Sequence, residues 1–234
     1  MHSQTTRMGR RSLNHETIIL IGPEGAGKTT VAKLLAEQLS KELFSLDRHR
    51  RQLYAPYGYD EAYADGLYKD EGEIALLQYW NYFEYRATVH ILQNAFESDD
   101  EFFGKILDFG AGHSVYEAKQ ELHHVMALSE QYANIYLLLP CEDVDEAVKI
   151  TEHRRGHALG YNRFFMEHPS NKSISKYILY TKDKEPRDSA AEVMKHIVAA
   201  EYEQQAFDEV QPTDEFAEFE DDGRNCGSEK EEGK

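Results

Sequence analysis

Residues 17–30 read Thr17-Ile18-Ile19-Leu20-Ile21-Gly22-Pro23-Glu24-Gly25-Ala26-Gly27-Lys28-Thr29-Thr30, and the chain continues VAKLLAEQLSK to Lys41. The run Thr17 to Ile21 is β-branched and leucine-rich and stops at a glycine, the pattern of a short buried strand. From Thr29 to Lys41, Val31, Leu34, Leu35 and Leu39 recur at helical spacing among good helix formers, which predicts an amphipathic helix. Between the two, Gly22 to Thr29 fit G-x(4)-G-K-T. In that pattern the glycines let backbone N–H groups turn inward around phosphate oxygens. Lys28 then reaches the outer phosphates, the Thr29 hydroxyl takes a ligand position on Mg²⁺, and the helix adds its positive end. A strand before and a helix after supply the context in which the pattern has this meaning. Gly22, Glu24, Gly25, Ala26, Gly27, Lys28, Thr29 and Thr30 therefore form the predicted binding loop for ATP.

Further strands are predicted at Glu42 to Leu46, Lys105 to Phe109, Asn134 to Leu139 (stopped by Pro140) and Tyr177 to Tyr180. Helices are predicted at Ile74 to Asn94, Ser114 to Gln131, Val144 to His153 and Pro186 to Tyr202. The alternation implies an α/β fold: a five-stranded, mainly parallel sheet with helices on both faces. Asp108 ends its apolar strand, a place from which an acid holds Mg²⁺ beside Thr29. Asp47 to Phe96 is aromatic-rich and broken by Pro56, Gly58, Gly66 and Gly72, while Arg154 to Lys172 is a polar stretch. Tyr79, Trp80, Tyr82, Phe83 and Tyr85 read as the core of that aromatic segment, with stacking of one or two of them on a ring or sugar as the alternative. His113, Glu117, Glu121 and His124 recur near helical spacing and read as a solvated helix face rather than a metal site.

The chain has 234 residues, which suits one α/β domain with additional segments. Its formal net charge is -17, and residues 201–234 hold 13 acids against three bases. That end reads as a disordered acidic tail, with a protein partner as one possible use. The rest is acidic too, so a long nucleic-acid surface is disfavoured. The two cysteines, Cys141 and Cys226, form no CxxC pattern, which suits reduced thiols and a cytoplasmic setting. No apolar run approaches the ~20 residues of a membrane span. Arg10-Arg11 is not read as an export signal, because cleavage after the first apolar run would remove the binding loop.

With these residues in place, the chain resembles the shikimate kinase family over about residues 17–199. GPEGAGKTT followed by VAKLLAEQL is similar to the family's opening, and Asp47 in FSLD stands where the family has an acid that meets the substrate hydroxyl. Arg86 in YFEYR fits the position of an arginine in the family's substrate-binding helices. Phe109 to Ser114 (FGAGHS) resembles the glycine-rich turn after the third strand, so Gly110, Ala111 and Gly112 are substrate-binding candidates. HRRG, His153 to Gly156, matches the basic lid, which gives Arg154 and Arg155 a catalytic role. The resemblance implies a three-layer P-loop kinase fold with a helical substrate-binding insert and a lid. It implies ATP and Mg²⁺ as cofactors and a small hydroxylated metabolite as acceptor. In those terms residues 1–15 are a flexible leader and 16–203 the kinase domain, with the insert at about 48–97 and the lid at about 154–172; residues 204–234 are the tail. Four departures imply an acceptor other than shikimate. Ala111 replaces the middle glycine of a triplet, His168-Pro169-Ser170-Asn171 stands where a second arginine is expected, Arg86 is followed by Ala87-Thr88-Val89 where the family has a nearby glutamate, and the tyrosine-rich stretch Tyr54 to Tyr68 has no counterpart.

A shorter resemblance, SLDRHRRQL from Ser45 to Leu53, is to the S-x-D-x-x-R pattern of polynucleotide 5′-kinases and zeta-type toxin kinases. It implies that Asp47 takes the proton of the attacking hydroxyl and that Arg50 holds a phosphate. Both resemblances give Asp47 and Lys28 catalytic work. The alternatives to a metabolite kinase are a polynucleotide or nucleotide 5′-kinase and a nucleotide-binding switch that is not a kinase.

Overall fold

The computed structural model describes residues 13–158 and 160–210. Five strands, β1 (Asn14–Ile21), β2 (Leu43–Ser45), β3 (Ile106–Asp108), β4 (Tyr132–Leu139) and β5 (Tyr177–Tyr180), form one sheet in the order β2-β3-β1-β4-β5. Every pairing is parallel. Leu20 lies opposite Asp108 on one side and Tyr136 on the other, so β1 occupies the middle of the sheet. Parallel strands bring all their carboxyl ends to one edge, and ligand sites of such sheets collect there.

The alternation of side chains along β1 sorts the core into two layers. Ile18 and Leu20 join Ile106, Tyr136 and Leu138 beneath α1 (Lys28–Leu39) and α9 (Pro186–Val210). Ile19 and Ile21 join Leu107, Ile135 and Leu137 on the other face, covered by α4 (Glu73–Gln93) and α5 (Lys119–Ser129). These are the three layers expected from the sequence. Between β2 and α4 come two further helices, α2 (Arg50–Tyr54) and α3 (Glu61–Glu71). The Asp60 side chain accepts from Tyr63 N and caps α3. The segment broken by Pro56 and Gly58 is thus helical on both sides of a single 3-10 turn, Ala55–Tyr57.

Other boundaries differ from the sequence reading. The helix expected from Ser114 begins only at Lys119, because Ala111–Ser114 forms a 3-10 turn and Ser114 bonds Asn171 instead of capping a helix. The polar stretch after α6 (Val144–Arg155) contains two short helices, α7 (Asn162–Glu167) and α8 (Pro169–Ile174). Its Asn162, Phe165, Met166, Ser170 and Asn171 are buried, so the latter part of the segment read as a lid is packed into the domain. The last helix runs to Val210, past the Tyr202 expected, and takes in the first residues of the stretch read as a disordered tail. Its Ala, Glu and Gln content is that of strong helix formers, which outweighs the acidic balance. Residues 1–12 of the predicted leader and 211–234 of the predicted tail, with Cys226, lie outside the described residues. No described helix is long and apolar enough to cross a membrane.

Candidate active site

The phosphate loop leaves β1 through Gly22, whose φ of 134° is open to glycine and whose α-carbon passes so close to Leu138 O that a β-carbon would overlap it. Lys28 follows, 8% exposed, with its Nζ donating to Gly22 O at 2.7 Å and Pro23 O at 2.9 Å. Burial lowers the lysine's pKa, opposed by Asp108, Asp47 and Glu24. Thr29 Oγ1 donates to Asp108 Oδ2 at 2.7 Å. Asp108 is 3% exposed, and burial raises its pKa against the pull of Lys28 and the Thr29 hydrogen bond.

The outer side of the loop is clasped by α6 and α7. Glu24 N donates to Asn162 Oδ1 and Asn162 Nδ2 donates back to Glu24 O, each at 3.0 Å. The Glu24 carboxylate pairs with Arg155 and accepts from Tyr161 OH. Arg154 donates to Thr181 Oγ1 and Thr181 O, both at 3.0 Å, and Thr181 Oγ1 donates to Ala26 O at 3.2 Å. Both arginines lie in the last turn of α6, where their charge suits the helix dipole, and Gly156 ends the helix at a φ of 78°.

On the other side, Asp47 sits in the turn after β2, and Leu46 N donates to Asp108 O at 3.0 Å, which ties the two strand ends together. Arg50 Nη2 donates to Asp47 Oδ1 at 2.9 Å, and the guanidinium lies 3.8 Å over the Trp80 ring. The turn after β3 comes in against two carboxylates. A β-carbon on Gly110 would overlap Asp47 Oδ1, and one on Gly112 would stand 2.5 Å from Glu84 Cδ. Glu84 is 4% exposed, and its pKa is pushed up to about 8, chiefly by burial, with Asp47 adding to the rise and Arg50 opposing it. Behind it, Tyr54 OH and His113 Nε2 lie 3.0 Å apart, and burial drives the His113 pKa down to about 4. His113 and Ser114 are therefore engaged within the domain.

One cavity of about 840 Å³ joins the two sides. Glu24, Gly25, Gly27, Lys28, Thr29, Thr30, Asp47, Arg50, Asp108, Ala111, Gly112, Arg154 and Arg155, all predicted site residues, line it. Gly22, Ala26 and Gly110 stand just behind that lining, Ala26 being fully buried and Gly110 against Asp47. Arg86 is not brought to the cavity. Its guanidinium lies 3.4 Å over the Tyr82 ring and donates to Tyr82 O at 3.0 Å. Two residues along a helix are about 200° around it, so the turn of α4 that presents Glu84 to the cavity presents Arg86 away from it. Glu84 and Glu73 on α4 and Tyr161, the residue before α7, line the cavity without having been singled out, and Trp80 of the aromatic set lines it too. A signal for Glu84 was available: it lies seven residues after Leu77 and seven before Ile91, an acid on an apolar stripe. No cluster of three His, Cys, Asp or Glu that could hold a metal occurs among the described residues.

The family profile described as ATPase family associated with various cellular activities (AAA) matches residues 18–61, from β1 through the phosphate loop to the start of α3. The solved shikimate kinase from Acinetobacter baumannii in complex with shikimate superposes with a TM-score of 0.52 at 19% identity, over 79% of this chain and 93% of that one. The chain has the P-loop kinase fold. That fold is one used by small-molecule kinases, and the resemblance at this identity concerns architecture. In sequence, a shikimate kinase of Marinomonas sp. (strain MWYL1) is 52% identical over 31 residues, which is 13% of this chain and 17% of that relative's length. A gluconokinase from Sinorhizobium meliloti 1021 also superposes, with a TM-score of 0.47 and 10% identity over 85% of this chain and 99% of that one.

Proposed function

We propose that this chain is a cytoplasmic ATP-dependent kinase that transfers the γ-phosphoryl group to a hydroxyl of a small metabolite other than shikimate. The observation that carries the reading is the placement of Asp47, Lys28 and the Thr29–Asp108 pair on one cavity, at the carboxyl ends of β2, β1 and β3. Lys28 is poised for phosphate oxygens: its buried ammonium is held by two loop carbonyls, and an anionic acceptor is a stronger partner than either. Thr29 and Asp108 are the residues that would hold Mg²⁺, whose charge would offset that of the phosphates.

Asp47 has the catalytic task. It orients the acceptor hydroxyl and takes its proton as the new oxygen–phosphorus bond forms and the bond to the departing ADP oxygen breaks. Arg50 keeps the Asp47 carboxylate in place. Lys28, Arg154 and Arg155 stabilise charge on the transferred group, and α6 with α7 keeps water from the loop. The backbone of Gly110 to Gly112 comes close enough to offer amide donors to the acceptor.

The test is ADP release with Mg²⁺ against pooled hydroxylated metabolites and 5′-hydroxyl oligonucleotides, with Lys28→Ala as control. Release that requires one metabolite acceptor and vanishes in the control is expected. Dependence on the oligonucleotide pool would indicate a polynucleotide kinase instead. Slow hydrolysis indifferent to any acceptor would defeat the kinase reading.

A further inference from the structure

Three polar atoms on the acceptor side are buried and have no hydrogen-bond partner: Arg50 Nε, Trp80 Nε1 and Glu84 Oε2. All three side chains line the same cavity. Buried polar groups are rarely left unmatched, and each orphan costs free energy until a partner arrives. These three belong to side chains of one cavity, whereas the other orphaned atoms among the described residues, on His15, His113 and His196, lie outside its lining.

Their chemistry restricts the ligand. An indole N–H and a guanidinium N–H only donate, so they call for ligand oxygens. Glu84, with its raised pKa, carries its proton at neutral pH and presents one O–H donor and one carbonyl acceptor. The titratable groups that interact with it are Arg50, Asp47, Tyr54 and Tyr116, and the one cation among them, Arg50, is paired with Asp47. Arg50 is committed to Asp47 and to the Trp80 face. The other two cavity arginines stand on the phosphate-loop side, Arg155 with Glu24 and Arg154 with Thr181, away from these three side chains. Asp65 lines the cavity near Asp47 and Trp80, while Glu73, its carboxyl raised by burial and by Glu24, stands toward the phosphate loop. Lys28, the remaining base of the cavity lining, is turned to the loop carbonyls of Gly22 and Pro23, so a carboxylate or phosphate placed on the acceptor side beside Asp47 and Asp65 meets no unpaired base of that lining and is electrostatically unfavourable.

We infer that the acceptor is an uncharged polyhydroxylated compound, a sugar, alditol or cyclitol bearing neither carboxylate nor phosphate, and that Glu84, Trp80 and Arg50 bind its hydroxyls. The inference rests on the kinase reading and narrows its substrate. Glu84 is a specificity-determining residue on this account, and Gly112 is required because any side chain there would displace it.

Trp80 is the chain's single tryptophan, so its emission reports on this wall alone. The experiment titrates the full chain with two matched sets, neutral aldoses, alditols and cyclitols against aldonates, shikimate and nucleoside monophosphates, while following Trp80 emission and, with MgATP, ADP release. Saturable emission changes and turnover with a member of the neutral set are expected. Glu84→Leu should raise the KM for that acceptor about tenfold or more, the loss of one buried hydrogen-bonding group, while the KM for ATP stays put. Glu84→Gln, which keeps an uncharged hydrogen-bonding group, should recover most of the lost affinity. Turnover confined to the anionic set would overturn the inference and leave the kinase standing, as would a Glu84→Leu enzyme whose acceptor KM does not move. Silence of Trp80 toward both sets also overturns it. ADP release independent of every acceptor would remove the kinase reading and the inference together.

Discussion

Gly110 stands against the carboxylate of Asp47 so closely that a β-carbon there would lie 2.7 Å from Asp47 Cγ. The turn after β3 and the turn after β2 therefore fix one another. Gly110→Ala must push Asp47 aside, and displacing a catalytic group by about an ångström can cost roughly 10²-fold. Steady-state assays of the variant should show kcat reduced by about that factor, with ATP affinity within a few-fold of wild type. Asp47→Asn, which removes the base and keeps the volume, should lose roughly 10²–10⁴-fold in turnover with the same near-normal ATP binding. Loss of ATP binding in Asp47→Asn would contradict the role given to that residue.

Lys28 is held by two loop carbonyls with no carboxylate in direct contact. In the role proposed for it, Lys28 makes a charge-assisted contact to the outer phosphates, which Lys28→Ala deletes. Calorimetry should find nucleotide affinity weakened by about tenfold or more and turnover abolished, while acceptor binding read at Trp80 is unchanged.

The Thr29–Asp108 hydrogen bond places the two residues that would hold Mg²⁺ in contact. Asp108→Asn removes the negative charge from that pair and should raise the Mg²⁺ concentration for half-maximal activity by roughly 10–100-fold. An unchanged Mg²⁺ dependence would detach Asp108 from the metal.

Glu84 gives a pH signature in stability. Unfolded, a glutamate loses its proton near 4.5; folded, this one keeps it to about 8. Between those values the native state holds the extra proton, so stability falls as pH rises through the window, and above about pH 8 the penalty is constant. Each pH unit is worth about 1.4 kcal/mol, making the whole effect on the order of a few kcal/mol. Glu84→Gln escapes it. The Tm of the variant relative to wild type should therefore increase from pH 5 to pH 8, by about 2–4 °C per kcal/mol for a domain of this size. A Tm difference constant across that range would mean that Glu84 ionises normally in the folded chain.

The parts of the site legible in the sequence are those fixed by local chemistry. The phosphate loop announces itself through glycine spacing between a strand and a helix, and Asp108 through its place at a strand end, while Asp47 came from the family resemblances. What could not be read depends on contacts between distant segments. Asn162 reaches Glu24 across 138 positions, and Thr181 reaches Ala26 across 155. Arg86 shows a different limit. On α4 the apolar and aromatic residues Leu76, Leu77, Tyr79, Trp80, Tyr82 and Phe83 run around much of the helix, so the pattern does not say which face meets the cavity. A rotation of that helix exchanges Arg86 for Glu84. The early part of the segment read as a lid forms the arginine clasp over the loop. Its later part is buried through Asn171, whose Nδ2 donates to Phe165 O at 2.7 Å and whose Oδ1 accepts from Ser114.

The central position of β1 bears on how the protein is made. Its neighbours β3 and β4 begin at residues 106 and 132, so the strand that leads into the phosphate loop leaves the ribosome long before either partner exists. Until then Ile18 to Ile21 has no sheet to join, and unpaired apolar strands are sites of mis-association. Nascent chains halted before β4 should engage holdase chaperones and lack nucleotide binding, with protection arriving once β4 is synthesised.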